Sequence, residues 1–365
     1  MAGKFIGRVI RTMAKDSHNR GGKKLLLHVG TGKAGSSSIQ YAMRRADRRG
    51  LLKPVCYPGL LNKVHHEAIT TLYKPFDRIP RAVRSLFASD DEDYAAYVKS
   101  VREAVEQIFR RHDRLVLSAE HLYNIDEASV VSLAEHLRQQ GFESVKVLMY
   151  LRDPASFFLS QAQQRVKASF RLPDPNSRIT EYSSYVARWK SVFDDVEVRE
   201  FSPESLAEGD VVRDFIQVMN HYFGTSITVP DKLVRRVNDS LSTEGIALVR
   251  SFREQFYANA EHQVNKPTNE LIRLIQHCEG QGLSVTKPRL KPSVRDRINF
   301  LNREEVSRLR EQMGQNFFPG FEPPNEVVDS VVFKNRMADI FELNSGFEER
   351  VQRLSLSVMG RLLDC

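Results

Sequence analysis

The stretch LLLHVGTGKAGSSSIQ, residues 25–40, joins an apolar run to a glycine- and serine-rich loop and then to a mixed segment. The apolar run predicts a buried strand over residues 24–29, and the segment after the loop predicts a helix over about 35–49. The glycines allow the loop backbone to approach a ligand closely. Because the amide groups of such a turn and the helix dipole point at one place, the sequence predicts an anion-binding site there.

The lysine of this loop lies at a different position from the lysine in the phosphate-binding loops of nucleotide triphosphatases. Gly30 and Gly35 have the GxxxxG spacing of those loops, but Ser36 stands at the lysine position. The lysine that is present, Lys33, lies at the tip of the loop. The usual clamp on β- and γ-phosphates is therefore missing. Two interpretations stay open at this point: a loop for a single phosphate and the group leaving from it, or an ordinary tight turn with an exposed lysine.

Apolar runs alternate with helical patterns along the rest of the first 220 residues. Further strands are predicted over 114–120, 144–154 and 196–201, with a short extended segment over 54–59. Helices are predicted over most of 63–112 and over 127–140, 155–169 and 210–220. This alternation predicts an α/β fold, a parallel β-sheet flanked by helices, with its ligand beyond the carboxyl ends of the strands.

The chain changes character again beyond about residue 230, where it is helical, basic and dotted with prolines, with no strong strand pattern. No flexible linker separates this part from the rest. The sequence therefore predicts a basic N-terminal segment over 1–22 and a single domain over 23–365. Within that domain we expect a core over 23–225 and a helical C-terminal part over 226–365.

The composition is that of a soluble, globular protein: 365 residues, of which 41% are hydrophobic and 27% charged. A net charge of +8 favours an anionic partner such as a nucleotide, a nucleic acid, an acidic glycan or a membrane surface. The three cysteines, Cys56, Cys278 and Cys365, are far apart and form no CxxC pair. Neither a disulfide framework nor a zinc site is expected, and a reducing compartment is favoured.

Residues 4–15 carry apolar side chains on one helical face among lysines and arginines, as a membrane-surface helix does. A helix that packs on the protein's own body has the same pattern. No apolar run approaches the ~20 residues of a membrane span. The first 20 residues lack the apolar centre of a secretory leader. We expect a cytoplasmic protein, with peripheral contact at the inner face of a membrane as an alternative.

The loop HVGTGKAGSSSIQ resembles the 5′-phosphosulfate-binding loop of the sulfotransferases, whose donor is 3′-phosphoadenosine 5′-phosphosulfate (PAPS). The family's usual form is close to PKxGTTxxQ or PKSGTTW. Here Gly32 replaces the proline, and Ser36 and Ser37 replace threonines, so the hydroxyl groups are kept. The resemblance implies that PAPS is bound by Gly32, Lys33, Ala34, Gly35, Ser36, Ser37 and Ser38. It also implies a fold similar to that of P-loop nucleotide triphosphatases.

A second stretch, YLRDPASFFLSQAQQRVK, resembles the 3′-phosphate motif of the same family. It has an arginine at a strand end, Arg152, and a serine eight residues later, Ser160, with Pro154 between them. A planar guanidinium can bind a phosphate through two hydrogen bonds, and a serine hydroxyl can add a donor. The resemblance extends loosely over residues 24–220 and is closest to bacterial carbohydrate-type members. The arginine–lysine–glycine motif that completes this site in cytosolic members is not evident.

The resemblance implies transfer of a sulfuryl group from PAPS to a hydroxyl or amine of an acceptor, expected to be a carbohydrate, with 3′,5′-adenosine bisphosphate as product. Lys33 is expected to stabilise the bridging oxygen and the departing 5′-phosphate. An acceptor hydroxyl also needs a general base. Glu120, just past a predicted strand, is the first candidate, and His121 and His28 are alternatives. For His28, on the first predicted strand, we favour a position in the core. No metal is expected to take part.

Other residues have two interpretations each. The pair His65–His66 either lines an acceptor pocket or lies on a loop surface, which we favour. Lys167 faces either the ligand or solvent. Trp189, the only tryptophan, is expected in the core rather than stacked on a glycan. Two alternative functions also stay open: a non-catalytic basic module that binds nucleotides or nucleic acid, and a divergent P-loop kinase. No nucleic-acid partner is expected from the leading interpretation.

Overall fold

Strand β1, Lys23–His28, lies inside a parallel sheet. The computed structural model describes residues 22–74, 91–177, 179–234, 241–326 and 328–363. In this part of the chain the other strands are β2 (Arg114–Ser118), β3 (Phe142–Leu151) and β4 (Asp195–Glu200). The strand order is β2-β1-β3-β4, and all neighbours run parallel. β1 is therefore a central strand, and its carboxyl end leads into the glycine-rich loop.

The described helices alternate with the strands and then follow them. They are α1 (Ser36–Arg48), α2 (Asp91–Arg111), α3 (Glu127–Gln139), α4 (Pro154–Arg165), α5 (Tyr182–Lys190), α6 (Val211–Phe223), α7 (Thr243–Phe256), α8 (Lys266–Gly280), α9 (Pro292–Met313), α10 (Met337–Ile340) and α11 (Phe347–Leu363). Short 3₁₀ segments cover Glu67–Leu72, Glu120–Asn124, Ala207–Gly209 and Asp231–Leu233. Local capping fixes some of the helix starts: the Asp126 carboxylate accepts the Ser129 amide at 2.9 Å, and Asp210 accepts the Val212 amide at 2.8 Å.

Both faces of the sheet are buried. On one face, Leu26, Val116 and Leu148 share a hydrophobic cluster with α1 and α6. The alternate residues of the strands are buried as well, and α3 and α5 contact β3 and β4 outside that cluster. Each fully buried large apolar side chain stabilises the fold by about 1.5–3 kcal/mol relative to exposure. The α/β prediction, a parallel β-sheet flanked by helices, is confirmed.

The predicted boundaries are wrong in several places. The strand expected over 114–120 ends at Ser118, because the backbone turns into a 3₁₀ segment at Glu120. The extended segment over 54–59 pairs with β2 only through a bridge between Cys56 and Leu115. The predicted helix over 155–169 ends at Arg165. The predictions for residues 1–21, including the membrane-surface helix over 4–15, lie outside the described residues.

The chain divides into two compact units. The first comprises Met1–Arg152 and Tyr182–Val237 and contains the sheet with its hydrophobic clusters. The second comprises Asp153–Glu181 and Asn238–Cys365, and its buried residues come from α4 and from α7 to α11. The helical character of the C-terminal part is confirmed, because no strand element follows Glu200 in the described residues. The interpretation of residues 23–365 as one domain stays a prediction.

Candidate functional site

The turn between β1 and α1 is held by a glycine that no other residue could replace without strain. Gly35 is the N-cap of α1 and has a φ of 81°, in the left-handed region. A Cβ atom added there would lie 2.7 Å from Val211 Cγ1 and 2.8 Å from Phe201 Cε2. Both the conformation and the close packing against α6 therefore require glycine. This contact fixes where α1 begins.

Lys33 also has left-handed backbone, with a φ of 68°. A non-glycine residue in that region costs about 1–2 kcal/mol. The loop is tied to the sheet next to it, since the Thr31 hydroxyl donates to the Tyr150 carbonyl at 2.6 Å. The backbone of the loop is thus held in a conformation that local preference alone would not select. Such strain is typical of ligand-binding loops.

The hydroxyl of Ser36 is buried at the start of α1. It forms no hydrogen bond in the part of the chain that the structure describes, although it lies close enough to the Glu120 carboxyl to lower that group's pKa. A Cβ atom on Gly30 would lie 2.3 Å from the Ser36 oxygen, so glycine is needed there as well. No side chain caps the N-terminus of α1. A buried hydroxyl beside the first amides of a helix can donate to an anionic oxygen.

Arg152 reaches this loop from the end of β3. Its Nη1 atom donates to the Lys33 carbonyl at 3.2 Å, and its guanidinium lies 5.5 Å from the centre of the Phe201 ring. The Tyr182 hydroxyl donates to the Arg152 carbonyl. The structure therefore brings the arginine of the second sequence motif to the loop of the first. Ser160 belongs to the second unit, on α4, and its role stays a prediction.

Glu120 lies beside the same loop. Its Oε1 atom would be 3.2 Å from a Cβ atom placed on Gly32. Burial and the neighbouring Glu67 carboxylate raise the pKa of Glu120, while His121 and Lys33 act in the opposite direction. The carboxyl ends of β1, β2 and β3 therefore each supply one predicted site residue to this place: Lys33, Glu120 and Arg152.

Glu67 is a site residue that the sequence did not indicate. Its carboxylate accepts the backbone amides of both Glu120 and His121, the latter at 2.9 Å. It also lies 3.1 Å from His121 Nδ1. Burial alone would raise the pKa of Glu67, but the hydrogen bonds from His121 and from the two amides lower it overall. The segment around Glu67 has no motif, and this contact joins residues more than fifty positions apart.

Two histidines that the sequence singled out are buried. His28 Nδ1 lies 2.8 Å from the Ser118 hydroxyl, and burial lowers the pKa of His28 to about 4. His28 is thus a core residue, not a general base.

His66 was expected on a loop surface, which is wrong. Its Nδ1 accepts the Ser118 amide at 2.9 Å, its Nε2 donates to the Pro58 carbonyl at 2.9 Å, and burial lowers its pKa to about 4. Its neighbour His65 is half-buried.

Trp189 is buried, as predicted. Its Nε1 donates to the Tyr123 carbonyl at 3.3 Å, and its ring stacks on Phe193. This burial excludes a glycan-stacking role. In the second unit Lys167 is half-buried, and burial lowers its pKa.

No cluster of three or more histidine, cysteine, aspartate or glutamate side chains suited to a metal ion occurs among the described residues. Within the same ranges, none of the helices combines the length and the apolar character that crossing a membrane requires.

Comparisons with known proteins found no family. No family model matches the sequence, and no curated protein matches it. One solved structure, described as that of the PezAT chromosomal toxin-antitoxin system of Streptococcus pneumoniae, is similar with a TM-score of 0.29 and 12% identity. The match covers 69% of this chain and 94% of the other. A score this low carries no argument about fold or function.

Proposed function

We propose that this protein is a sulfotransferase that uses PAPS as its donor. One observation carries the proposal: the Arg152 guanidinium donates to the carbonyl of Lys33 at 3.2 Å. The two motifs that a PAPS site needs, a 5′-phosphosulfate loop and a 3′-phosphate arginine, are far apart in the sequence and meet at this hydrogen bond. The buried hydroxyl of Ser36, at the start of α1, supports an anion in the loop between them.

PAPS would supply the sulfuryl group. The amides of Ala34 to Ser37 and the Ser36 hydroxyl would bind its 5′-phosphosulfate oxygens at the positive end of α1. The Lys33 ammonium would stabilise the charge that develops on the bridging oxygen. Arg152, whose guanidinium donates to the loop at the Lys33 carbonyl, would bind the 3′-phosphate. We assign no metal to this reaction.

The acceptor would be a hydroxyl or amine, and we favour a carbohydrate. Glu120 and His121 are the candidate bases, since both follow β2 and Glu120 lies beside the loop. A cytoplasmic location is a further part of this proposal, with peripheral membrane contact through residues 4–15 as an alternative. Ser160 is proposed as the second ligand of the 3′-phosphate, following the sequence motif.

Calorimetric titration with 3′,5′-adenosine bisphosphate and, separately, with ADP and Mg²⁺ tests the donor site. We expect the bisphosphate to bind more tightly. Lys33→Ala and Arg152→Ala should each weaken it about 10- to 150-fold, because a hydrogen bond to a charged group contributes about 1.5–3 kcal/mol. The exposed residues Lys53 and Arg48 of the same unit serve as matched controls, and their alanine variants should bind like the wild type.

The alternatives have distinct outcomes in the same experiment. Preference for ADP with Mg²⁺ would support a divergent P-loop kinase and contradict the proposal. Tight binding of long single-stranded nucleic acid, together with weak binding of the bisphosphate, would support the non-catalytic module. If the bisphosphate binds as expected, incubation with sulfur-labelled PAPS and a panel of mono- and oligosaccharides should give a labelled product.

A further inference from the structure

Glu67 makes three contacts to one short turn. Its two carboxylate oxygens accept the backbone amides of Glu120 and His121, and one of them also lies 3.1 Å from His121 Nδ1. The Glu67 side chain is only 15% exposed, so these contacts are partly shielded from water. A buried carboxylate that accepts several hydrogen bonds holds its partners in one geometry. The turn that contains both candidate bases is therefore fixed by Glu67.

The contact with Glu67 also sets the protonation pattern of the His121 ring. A carboxylate can only accept, so the nitrogen next to it, Nδ1, must carry the hydrogen. In the neutral ring the other nitrogen, Nε2, then has the free lone pair. Nε2 forms no hydrogen bond to any residue that the structure describes, and the His121 side chain is 65% exposed. His121 thus presents a proton acceptor on an open side chain.

Glu120 is less suited to act as the base. Its Oε1 atom would be 3.2 Å from a Cβ atom on Gly32, inside the loop that the proposed function fills with an anion. An ionised carboxylate at that position would repel the donor's phosphosulfate. His121 belongs to the same turn but carries no negative charge in its basic form.

We infer that Glu67 is a positioning residue, which orients His121 as the general base of the reaction. This inference rests on the proposed function. In the step, the acceptor's O–H proton moves to His121 Nε2 while the acceptor oxygen forms a bond to sulfur. The bond from sulfur to the bridging oxygen breaks, and its electron pair leaves with the 5′-phosphate. The imidazolium, stabilised by Glu67, afterwards releases its proton to water.

The charged groups around His121 determine the direction of its titration. The hydrogen bond from Glu67 raises the pKa of His121, partial desolvation of the ring lowers it, the charges of Glu67 and Glu120 raise it, and Lys74 lowers it. The ring of His65 is a further titratable neighbour. The net shift is upward. A Glu67→Gln substitution removes the largest cause, so the pKa of His121 should fall in that variant.

Kinetics as a function of pH provide the first test, with the full chain and an acceptor found by the labelled-PAPS screen. In the wild type kcat/KM should rise with pH through the pKa of His121. His121→Gln should lower kcat about 10²- to 10⁴-fold and abolish this rise. Glu67→Gln should lower kcat at least about tenfold, within the range of acid–base contributions, and move the rise to lower pH. Glu120→Gln should keep the rise, and the exposed control Glu103→Gln should match the wild type.

Nitrogen-15 NMR of histidine-labelled protein gives a second readout that needs no activity. The His121 signals, assigned by their loss in His121→Gln, should show the hydrogen on Nδ1 in the neutral ring. Their titration midpoint should fall in Glu67→Gln. A hydrogen on Nε2, an unchanged midpoint, or a pH rise that survives in His121→Gln would each overturn the inference. Failure of bisphosphate binding would overturn the proposed function instead, while the NMR result would still report on the Glu67–His121 pair.

Discussion

The residue at position 35 of the loop is constrained both by its backbone angle and by its packing. Gly35 must be a glycine for its backbone angle and also for its contact with Val211 and Phe201, whereas Gly50 has a similar φ of 69° with no atom near its missing Cβ. A side chain at Gly50 would thus cause conformational strain alone, whereas a side chain at Gly35 would cause both conformational strain and a steric clash. This distinction is visible only in three dimensions, since both are isolated glycines in the sequence.

Gly35→Ala is expected to destabilise the protein more than Gly50→Ala. Both variants have the cost of a left-handed alanine, about 1–2 kcal/mol. Gly35→Ala in addition forces a Cβ into contacts of 2.7 and 2.8 Å, so the difference between them should be about 1–3 kcal/mol, as for overpacked sites. Urea unfolding measures both values. Equal losses would mean that α6 moves freely away from the loop.

Among the single residues, those around the proposed general base were the hardest to predict from the sequence. Position after β2 was enough to indicate Glu120 and His121 as candidates, because strand ends in a parallel sheet meet at one edge. It could not indicate Glu67, because that residue acts through backbone amides brought to it by folding. No spacing rule relates a carboxylate in one 3₁₀ segment to the amides of another.

At the scale of elements, the ends of β1 and β2 are joined by a buried polar network. The Ser118 hydroxyl contacts His28 Nδ1 at 2.8 Å and accepts from Gln40 Nε2 at 3.1 Å, while the Ser118 amide donates to His66. The network links both strands to α1 and to the segment before Glu67. Strand formation was predictable from apolar runs, but these polar contacts depend on the register Leu26↔Val116 and its neighbours.

This network predicts a loss of stability in mild acid. The pKa values of His28 and His66 are lowered by burial from 6.5 to about 4, so the folded state binds fewer protons than the unfolded state between these values. Stability should therefore fall as pH decreases from 6.5 to 4, by up to about 1.4 kcal/mol per pH unit for each histidine. Urea unfolding at a series of pH values measures the slope.

His66→Gln should reduce that slope by up to about 1.4 kcal/mol per pH unit, whatever its effect on stability at neutral pH, because one of the buried uncharged histidines is gone. His221→Gln, which changes an exposed histidine on α6, is the control and should leave the slope as it is in the wild type. A free energy of unfolding that stays constant between these pH values would contradict the burial of uncharged histidines.

At the scale of the whole molecule, periodicity and composition were enough for the architecture but not for its subdivision. The alternation of strands and helices predicted a parallel sheet, because hydrophobic patterning dominates in a core buried on both faces. Residues 153–181 showed no sign in the sequence that they belong with the C-terminal helices. That grouping arises from long-range packing of apolar residues such as Phe158 and Ile298 in one cluster.

The net charge of the protein predicts that nucleotide binding depends on salt concentration. With a net charge of +8, the protein should attract an anionic nucleotide through its field as well as through direct contacts. Binding of 3′,5′-adenosine bisphosphate should weaken several-fold between about 0.05 and 0.5 M salt, as the Debye length shortens. Lys33→Ala should reduce the slope of log affinity against log salt. Calorimetry at several salt concentrations decides this, and an affinity independent of salt would contradict it.

At position 33, the residue that would be most stable in the observed backbone conformation is not the residue that carries a positive charge. A glycine would adopt the φ of 68° with little strain, yet it would have no ammonium group to offer an anion. With lysine at this position the loop backbone is more strained than it would be with glycine, but the loop carries one positive charge. A redesign of this protein that optimised only heat resistance would replace Lys33 with glycine, and would thereby remove the ammonium group on which the proposed donor site depends.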